Sequence, residues 1–193
     1  MLDKKLENYN IILASGSPRR QQFLKDLGIT FIVKFIDVEE IYPKYLHGNE
    51  ITRFLAQLKA DAYEETLNTN DILITADTIV RSNGKILGKP TDATYAKKML
   101  LELSNQEHEV ITSICIRTNT NTKIINDTTI VHFEKLSEAE IDYYIDKYAP
   151  FDKAGSYGIQ EWLGYIAVKR IEGSFFNVMG FPVHKFYKEM MKF

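Results

Sequence analysis

A chain of 193 residues that is 45% hydrophobic, 26% charged and 12% aromatic can bury a sizeable core, which excludes a disordered chain and favours one continuous folding unit. With 24 basic against 26 acidic residues and a net charge of −2, it lacks the basic footprint of a duplex-binding protein, so an anionic ligand must be met by a local cluster. No apolar run approaches the roughly 20 residues that span a bilayer, Met1 to Lys5 lack the apolar segment of a secretory signal, and the lone Cys115 admits no internal disulfide; together these predict a soluble protein of the reducing cytoplasm.

Residues 11–14 predict a short buried strand, and Ser15-Gly16-Ser17-Pro18 turns it into a helix with Ser17 as N-cap, Pro18 at the first helical position and Gly28 as the stop. A strand over 31–36 leads through Glu39-Glu40 to a helix in which Ile51, Phe54, Leu55, Leu58 and Ala62 keep helical spacing. Residues 72–76 form the next strand, ending at Asp77, with turns at 82–85 and 88–90. Asp92 caps a helix that runs to about Leu103. Two long strands, 109–118 and 123–133, make a hairpin about residues 119–122. Ser137 and Glu140 form a capping box for a helix that stops before Pro150. A glycine-punctuated stretch, 153–164, precedes a strand over 165–170 and a last helix begun by Pro182. There is no internal repeat or linker, and the alternation predicts an α/β protein with a mixed sheet in one domain, residues 1–193.

The first chemical candidate is Ser15-Gly16-Ser17-Pro18-Arg19-Arg20, because a glycine turn from strand into helix presents unpaired N–H groups to an anion. Arg19 and Arg20 add charge-assisted contacts to phosphate, yet they sit at the positive end of the helix dipole, where a bound polyphosphate would compensate them. The plain alternative is a capped helix start with two solvated arginines, and the segment is no P-loop, since the glycine, lysine, Ser/Thr ending is absent. Asp77, followed by Thr78, ends an apolar strand, where α/β sheets expose catalytic carboxylates; the alternative is a turn former. Glu39 and Glu40 read singly as surface charge, and Lys59, Lys89 and Lys153 (the last beside Asp152) as surface residues or ion pairs. His47, His108, His132 and His184 are scattered and read as core or surface histidines. In conjunction, acids able to hold Mg²⁺ or Mn²⁺, cations able to neutralise phosphate, and no histidine or thiol nucleophile in a recognisable arrangement point to phosphoryl chemistry.

Five segments in consistent order and spacing then carry a resemblance: 13–20 (Leu-Ala-Ser-Gly-Ser-Pro-Arg-Arg), 76–78 (Ala-Asp-Thr), 88–90 (Gly-Lys-Pro), 152–160 (Asp-Lys-Ala-Gly-Ser-Tyr-Gly-Ile-Gln) and 178–182 (Val-Met-Gly-Phe-Pro). The chain resembles, from about Ile11 to the last helix, the Maf family of nucleoside triphosphate pyrophosphatases. That resemblance implies a two-lobed α/β fold around an elongated mixed sheet, shared with the inosine triphosphatase-like pyrophosphatases, with a central substrate cleft. It implies release of pyrophosphate from a nucleoside triphosphate with a divalent cation, a homodimer, and an association with septum formation; the charge balance and the lack of a long apolar run separately predict no nucleic-acid or membrane partner.

By similarity Asp77 is the proton acceptor and Glu40 is a metal or water-positioning carboxylate; Asp77 is also a candidate metal carboxylate, and whether it acts as base, ligand or both stays open in the sequence. Lys59, Lys89 and Lys153 bind phosphates or steady the carboxylates, and Ser15 and Arg20 line the triphosphate. Arg19, Thr78 and Gln160 match the branch acting on dTTP and UTP rather than the one resembling 7-methyl-GTP pyrophosphatases. A glutamine amide offers both a donor and an acceptor to the N3–H and a carbonyl of uracil or thymine. The sequence departs from the family pattern after Gln160, where Glu161-Trp162 replace the expected glycine; a bulky indole and an extra acid there narrow the base pocket or alter its preference. Two other readings are a pyrophosphatase of modified pyrimidines such as 5-methyl-UTP or pseudo-UTP, and a non-enzymatic nucleotide-binding regulator of cell division, which would tolerate Asp77→Asn.

Overall fold

The structure, a computed structural model, describes residues 1–193. Its helices in chain order are α1 Leu2–Lys5, α2 Pro18–Asp26, α3 Asn49–Asp61, α4 Ala93–Leu103, α5 Glu138–Tyr148, α6 Trp162–Ala167, α7 Phe175–Val178 and α8 Val183–Met190. The strands are β1 Asn10–Leu13, β2 Phe31–Val33, β3 Asp71–Ser82, β4 Lys85–Leu87, β5 Glu107–Arg117, β6 Thr122–Phe133 and β7 Val168–Glu172. They form a seven-stranded sheet in the order β2-β1-β3-β5-β6-β7, with β4 also on β3. β1 runs parallel to β2 and β3, whereas β3 and β4, and β6 and β7, pair antiparallel, so the sheet is mixed and the α/β expectation is borne out. No helix is long and apolar enough to cross a membrane.

The chain divides into two compact units: residues 1–77, 112–127 and 180–193, and residues 78–111 and 128–179. In the first, β1 and β3 are apolar on both faces, as strands covered on both sides must be. Ile12, Ala14 and Leu73 pack there with Cys115 and with Ala56 and Ala60 of α3. Phe23 of α2 stacks on Phe181, which in turn meets Phe186 of α8. In the second unit, Ala96, Leu100 and Leu103 of α4 and Ile141, Tyr144 and Ile145 of α5 share a core with Val131, Phe133, Tyr157, Ile159 and Leu163. His108 is part of that packing, edge-on to Phe133 with Nε2 2.7 Å from the Tyr157 hydroxyl. Burial holds its pKa down to about 3, so it is a neutral core histidine, as scattered histidines are expected to be.

Local chemistry explains most of the boundaries. Asp92 accepts a hydrogen bond from the Tyr95 N–H at 2.9 Å, and Ser137 and Glu140 close the reciprocal capping box. α2 opens on Pro18 and stops where Gly28 takes φ 72°, but Ser17 makes no side-chain cap; the Ser15 Oγ accepts from the Ser17 N–H instead, at 3.3 Å.

Three strand expectations are corrected. β2 ends at Val33 rather than at residue 36. β3 does not end at Asp77 but runs on to Ser82, because Ile79 and Val80 are buried and residues 80–82 pair with β4. The first half of the strand expected over 165–170 is helical, since α6 extends to Ala167 and β7 begins at Val168. Leu163, Gly164 and Ala167 are buried at helical spacing. A Cβ on Gly164 would lie 1.9 Å from the Ile159 carbonyl oxygen, so only glycine lets this turn settle there.

Candidate active site

In the first unit the strand-to-helix turn after β1 delivers Arg20 into the protein rather than to water. Its Nε donates to the Gly180 carbonyl at 3.0 Å, and its Nη1 donates to the Ala76 carbonyl at 2.8 Å and the Ser15 Oγ at 3.2 Å. The guanidinium therefore joins the turn, β3 and the residue before Phe181. Loss of hydration brings its pKa down to about 10, against the pull of Asp77 and Glu40, which leaves it charged at neutral pH. Arg19, next in the turn, is half-buried.

One residue along β3 from Ala76, Asp77 is 5% exposed. Its Oδ1 lies 2.6 Å from the Nζ of Lys59, in the last turn of α3. The same ammonium lies 2.8 Å from the Oε1 of Glu40, on the loop between β2 and α3. One cation thus bridges two carboxylates brought from a strand and a loop. Burial pushes the Asp77 carboxyl above its ordinary 3.8, and Glu40 pushes the same way; Lys59 and Arg20 oppose them. A carboxyl in that balance is a better proton acceptor than a solvated one.

The donor chemistry of Glu40 and Asp77 also fits a hard divalent cation. Two carboxylates converge on one cationic point, while no group of three or more His, Cys, Asp or Glu side chains is disposed to hold a metal. Mg²⁺ characteristically takes one or two carboxylates and completes its shell with water and substrate phosphate.

The second unit carries the remaining sequence candidates. Thr78, half-buried, follows Asp77 on β3. Lys89 is exposed in the turn after β4, where the Gly88 carbonyl accepts from the Gly155 N–H at 3.1 Å. Lys153 is buried rather than at the surface, and of its two expected readings the ion pair with Asp152 forms: its Nζ meets Asp152 at 2.7 Å and also Glu161 at 3.2 Å. The side-chain carbonyl of Gln160 is screened from water and has no hydrogen-bond partner. Sequence reasoning missed two participants: Glu161, read only as a departure from a pattern, and Tyr144, which no motif singles out. The Tyr144 hydroxyl donates to Glu161 and accepts from the Gly158 N–H.

A cavity of ≈ 690 Å³ in the first unit, lined among others by Tyr9, Thr30, Ile32 and Tyr63, includes none of these residues. Its buried acid, Asp71, is held below the ordinary carboxylate range by hydrogen bonds from Asn10 and Asn68 and is a structural anchor.

Comparison with known proteins bears on this geometry. The family profile described as Maf-like protein matches residues 10–193. The dTTP/UTP pyrophosphatase of Flavobacterium johnsoniae is 56% identical over 188 residues, spanning 97% of each chain. That of Flavobacterium psychrophilum is 56% identical over 187 residues, 97% of this chain and 96% of the relative. That of Bacteroides thetaiotaomicron is 49% identical over 188 residues, 97% of each. The structure of the Staphylococcus aureus Ham1 protein superposes with a TM-score of 0.43 at 17% identity, over 64% of this chain and 71% of that one, a likeness too partial to bear on the site. A profile match over nearly the whole chain and relatives at this identity and coverage make the protein a member of the Maf-like protein family.

Proposed function

We propose that this chain hydrolyses nucleoside triphosphates, dTTP and UTP foremost, to the nucleoside monophosphate and pyrophosphate. The observation that carries the reading is Asp77, a buried carboxylate of raised pKa held at 2.6 Å by an ammonium that Glu40 shares. Asp77 takes the proton of a water whose oxygen bonds to the α-phosphorus as the bond to the pyrophosphate oxygen breaks. Glu40 orients that water, and Lys59 steadies both carboxylates. Glu40 and Asp77 would hold a divalent cation, Mg²⁺ or Mn²⁺, which would supply Lewis-acid neutralisation of phosphate charge. Ser15, Arg20, Lys89 and Lys153 act on the phosphates; Arg20, fixed by its two carbonyl contacts, presents its positive charge without reorganising.

Arg19, Thr78 and Gln160 select the base. Leaving a buried carbonyl such as that of Gln160 without a donor costs about 1–3 kcal/mol; the N3–H of uracil or thymine relieves this, whereas cytosine presents an unprotonated acceptor at the same ring position. Relatives at 49–56% identity whose names state dTTP and UTP support the same choice. The reading extends to a cytoplasmic homodimer whose one thiol, Cys115, is buried.

Pyrophosphate release from dTTP, UTP, dCTP, CTP, ATP, GTP, 5-methyl-UTP and pseudo-UTP tests it. The expected result is turnover of dTTP and UTP that chelation abolishes and Mg²⁺ or Mn²⁺ restores. Preference for the modified pyrimidines would move the substrate assignment, and no turnover of any nucleotide would remove the enzyme reading.

The pH profile follows from Asp77. The base must be unprotonated, and in the metal-free protein burial raises the Asp77 pKa above 3.8, so proton uptake by Asp77 begins at a higher pH than for a solvated carboxylate. The shift itself is checked on the metal-free protein by NMR titration of the Asp77 carboxyl: a value at or below 3.8 there would contradict the burial argument.

A further inference from the structure

Gly158 and Glu161 close a tight turn by a hydrogen bond from the Glu161 N–H to the Gly158 carbonyl at 3.0 Å, with Gln160 inside it. Two side chains of that turn fold back over the glycine. A Cβ on Gly158 would stand 2.7 Å from the Glu161 Cδ and 3.1 Å from the Gln160 Nε2, so carboxylate and amide share the space that glycine leaves open. They cannot move independently.

The Glu161 carboxylate is tied from two sides. One oxygen accepts from the hydroxyl of Tyr144, a fully buried residue of α5, and that hydroxyl also accepts from the Gly158 N–H at 3.0 Å. The other lies 3.2 Å from the Lys153 ammonium, whose further partner is Asp152 at 2.7 Å. A continuous chain of hydrogen bonds thus runs from the backbone two residues before Gln160, through Tyr144 and Glu161, to Lys153. Such a network fixes geometry more firmly than its members would singly, because each donor and acceptor is already committed. Burial and the Glu161 carboxylate both push the Tyr144 phenol far above its ordinary range, so its proton stays in place.

We propose that Glu161 is a positioning residue for base selectivity: with Tyr144 and Lys153 it locks the 158–161 turn so that the Gln160 amide is held in one orientation for a pyrimidine carrying an N3–H. The acid standing where the family pattern has glycine then sharpens discrimination rather than merely crowding a pocket. The inference rests on the assignment of Gln160 to the base in the proposed pyrophosphatase reading.

Binding of the products dTMP and dCMP, measured by calorimetry, tests it without requiring turnover. Glu161→Ala is expected to lower the preference for dTMP over dCMP about tenfold, the scale of a sub-ångström misplacement of a recognition group. Glu161→Gln, which keeps an acceptor for the Tyr144 hydroxyl, is expected to restore most of that preference, and Tyr144→Phe to lose it. A changed melting temperature with an unchanged dTMP to dCMP ratio in Glu161→Ala and Tyr144→Phe would make the network structural only and overturn the proposal, as would a native protein that does not discriminate. Turnover of dTTP in the same samples separates the two ideas: selective dTMP binding without hydrolysis sinks the pyrophosphatase reading and leaves the positioning role standing.

Discussion

Asp77→Asn is expected to lower kcat for dTTP by about a thousandfold or more, the range seen when a general base is removed, without lowering the stability of the fold. The amide is isosteric and still accepts from Lys59, and Lys59 keeps Glu40 at 2.8 Å, so no cation is stranded. Linkage gives the sign for stability. A carboxylate whose folded pKa lies above its unfolded value lends stability below the unfolded pKa and loses it as pH rises through the folded one. At neutral pH the ionised Asp77 therefore burdens the fold, and a neutral amide does not. The melting temperature of Asp77→Asn is expected at or above that of the native protein. A variant that keeps a tenth of native kcat would show that another group takes the proton.

Lys59→Met should do the reverse to stability. It removes the ammonium that meets Asp77, whose side chain is 6% exposed, and breaking a buried pair from one side costs about 3–5 kcal/mol. At this chain length that is roughly ten degrees in melting temperature. Asp77 can escape part of the penalty by holding its proton, since the largest influence lowering its pKa has gone. The loss should then be smaller in mild acid than at neutral pH, and the Asp77 pKa of the metal-free variant should move further up. Adding Asp77→Asn in the Lys59→Met background removes the stranded charge and should recover most of the stability, although not activity. If the double variant melts as low as Lys59→Met alone, Lys59 contributes through packing of its methylene stem rather than through the pair.

Most of the architecture is legible in the residues because its signals are local. The Asp92 cap, the box of Ser137 and Glu140, and the Gly28 stop lie within a turn of what they terminate. What is missed depends on contacts made far along the chain. Residues 165–170 carry the aromatic and β-branched look of a strand in Tyr165, Ile166 and Val168, and the approach of Gly164 to the Ile159 carbonyl places 165–167 in a helix instead. Asp77 looks terminal because the apolar run stops at Ala76, while the pairing of residues 80–82 with β4 carries the strand past it.

The candidate residues were named by their motifs, but their partnerships were not. Lys153 beside Asp152 reads as a surface residue or an ion pair, and its second carboxylate partner, Glu161, lies eight residues later. Nothing in the spacing of Glu40, Lys59 and Asp77 reveals that one ammonium serves both acids. Arg20, read as a phosphate ligand, is also a strut through Ala76 and Gly180, a role visible only once strand and turn are side by side.

The most direct test of the account is hydrolysis of dTTP in ¹⁸O-labelled water with the products weighed by mass spectrometry. Attack on the α-phosphorus by a water that Asp77 deprotonates puts one ¹⁸O in dTMP and leaves the pyrophosphate unlabelled. Label in the pyrophosphate would place the attack on the β-phosphorus, and release of orthophosphate with dTDP would place it on the γ-phosphorus; either result would contradict the assignment of this chain as a pyrophosphatase acting through Asp77 at the α-phosphorus.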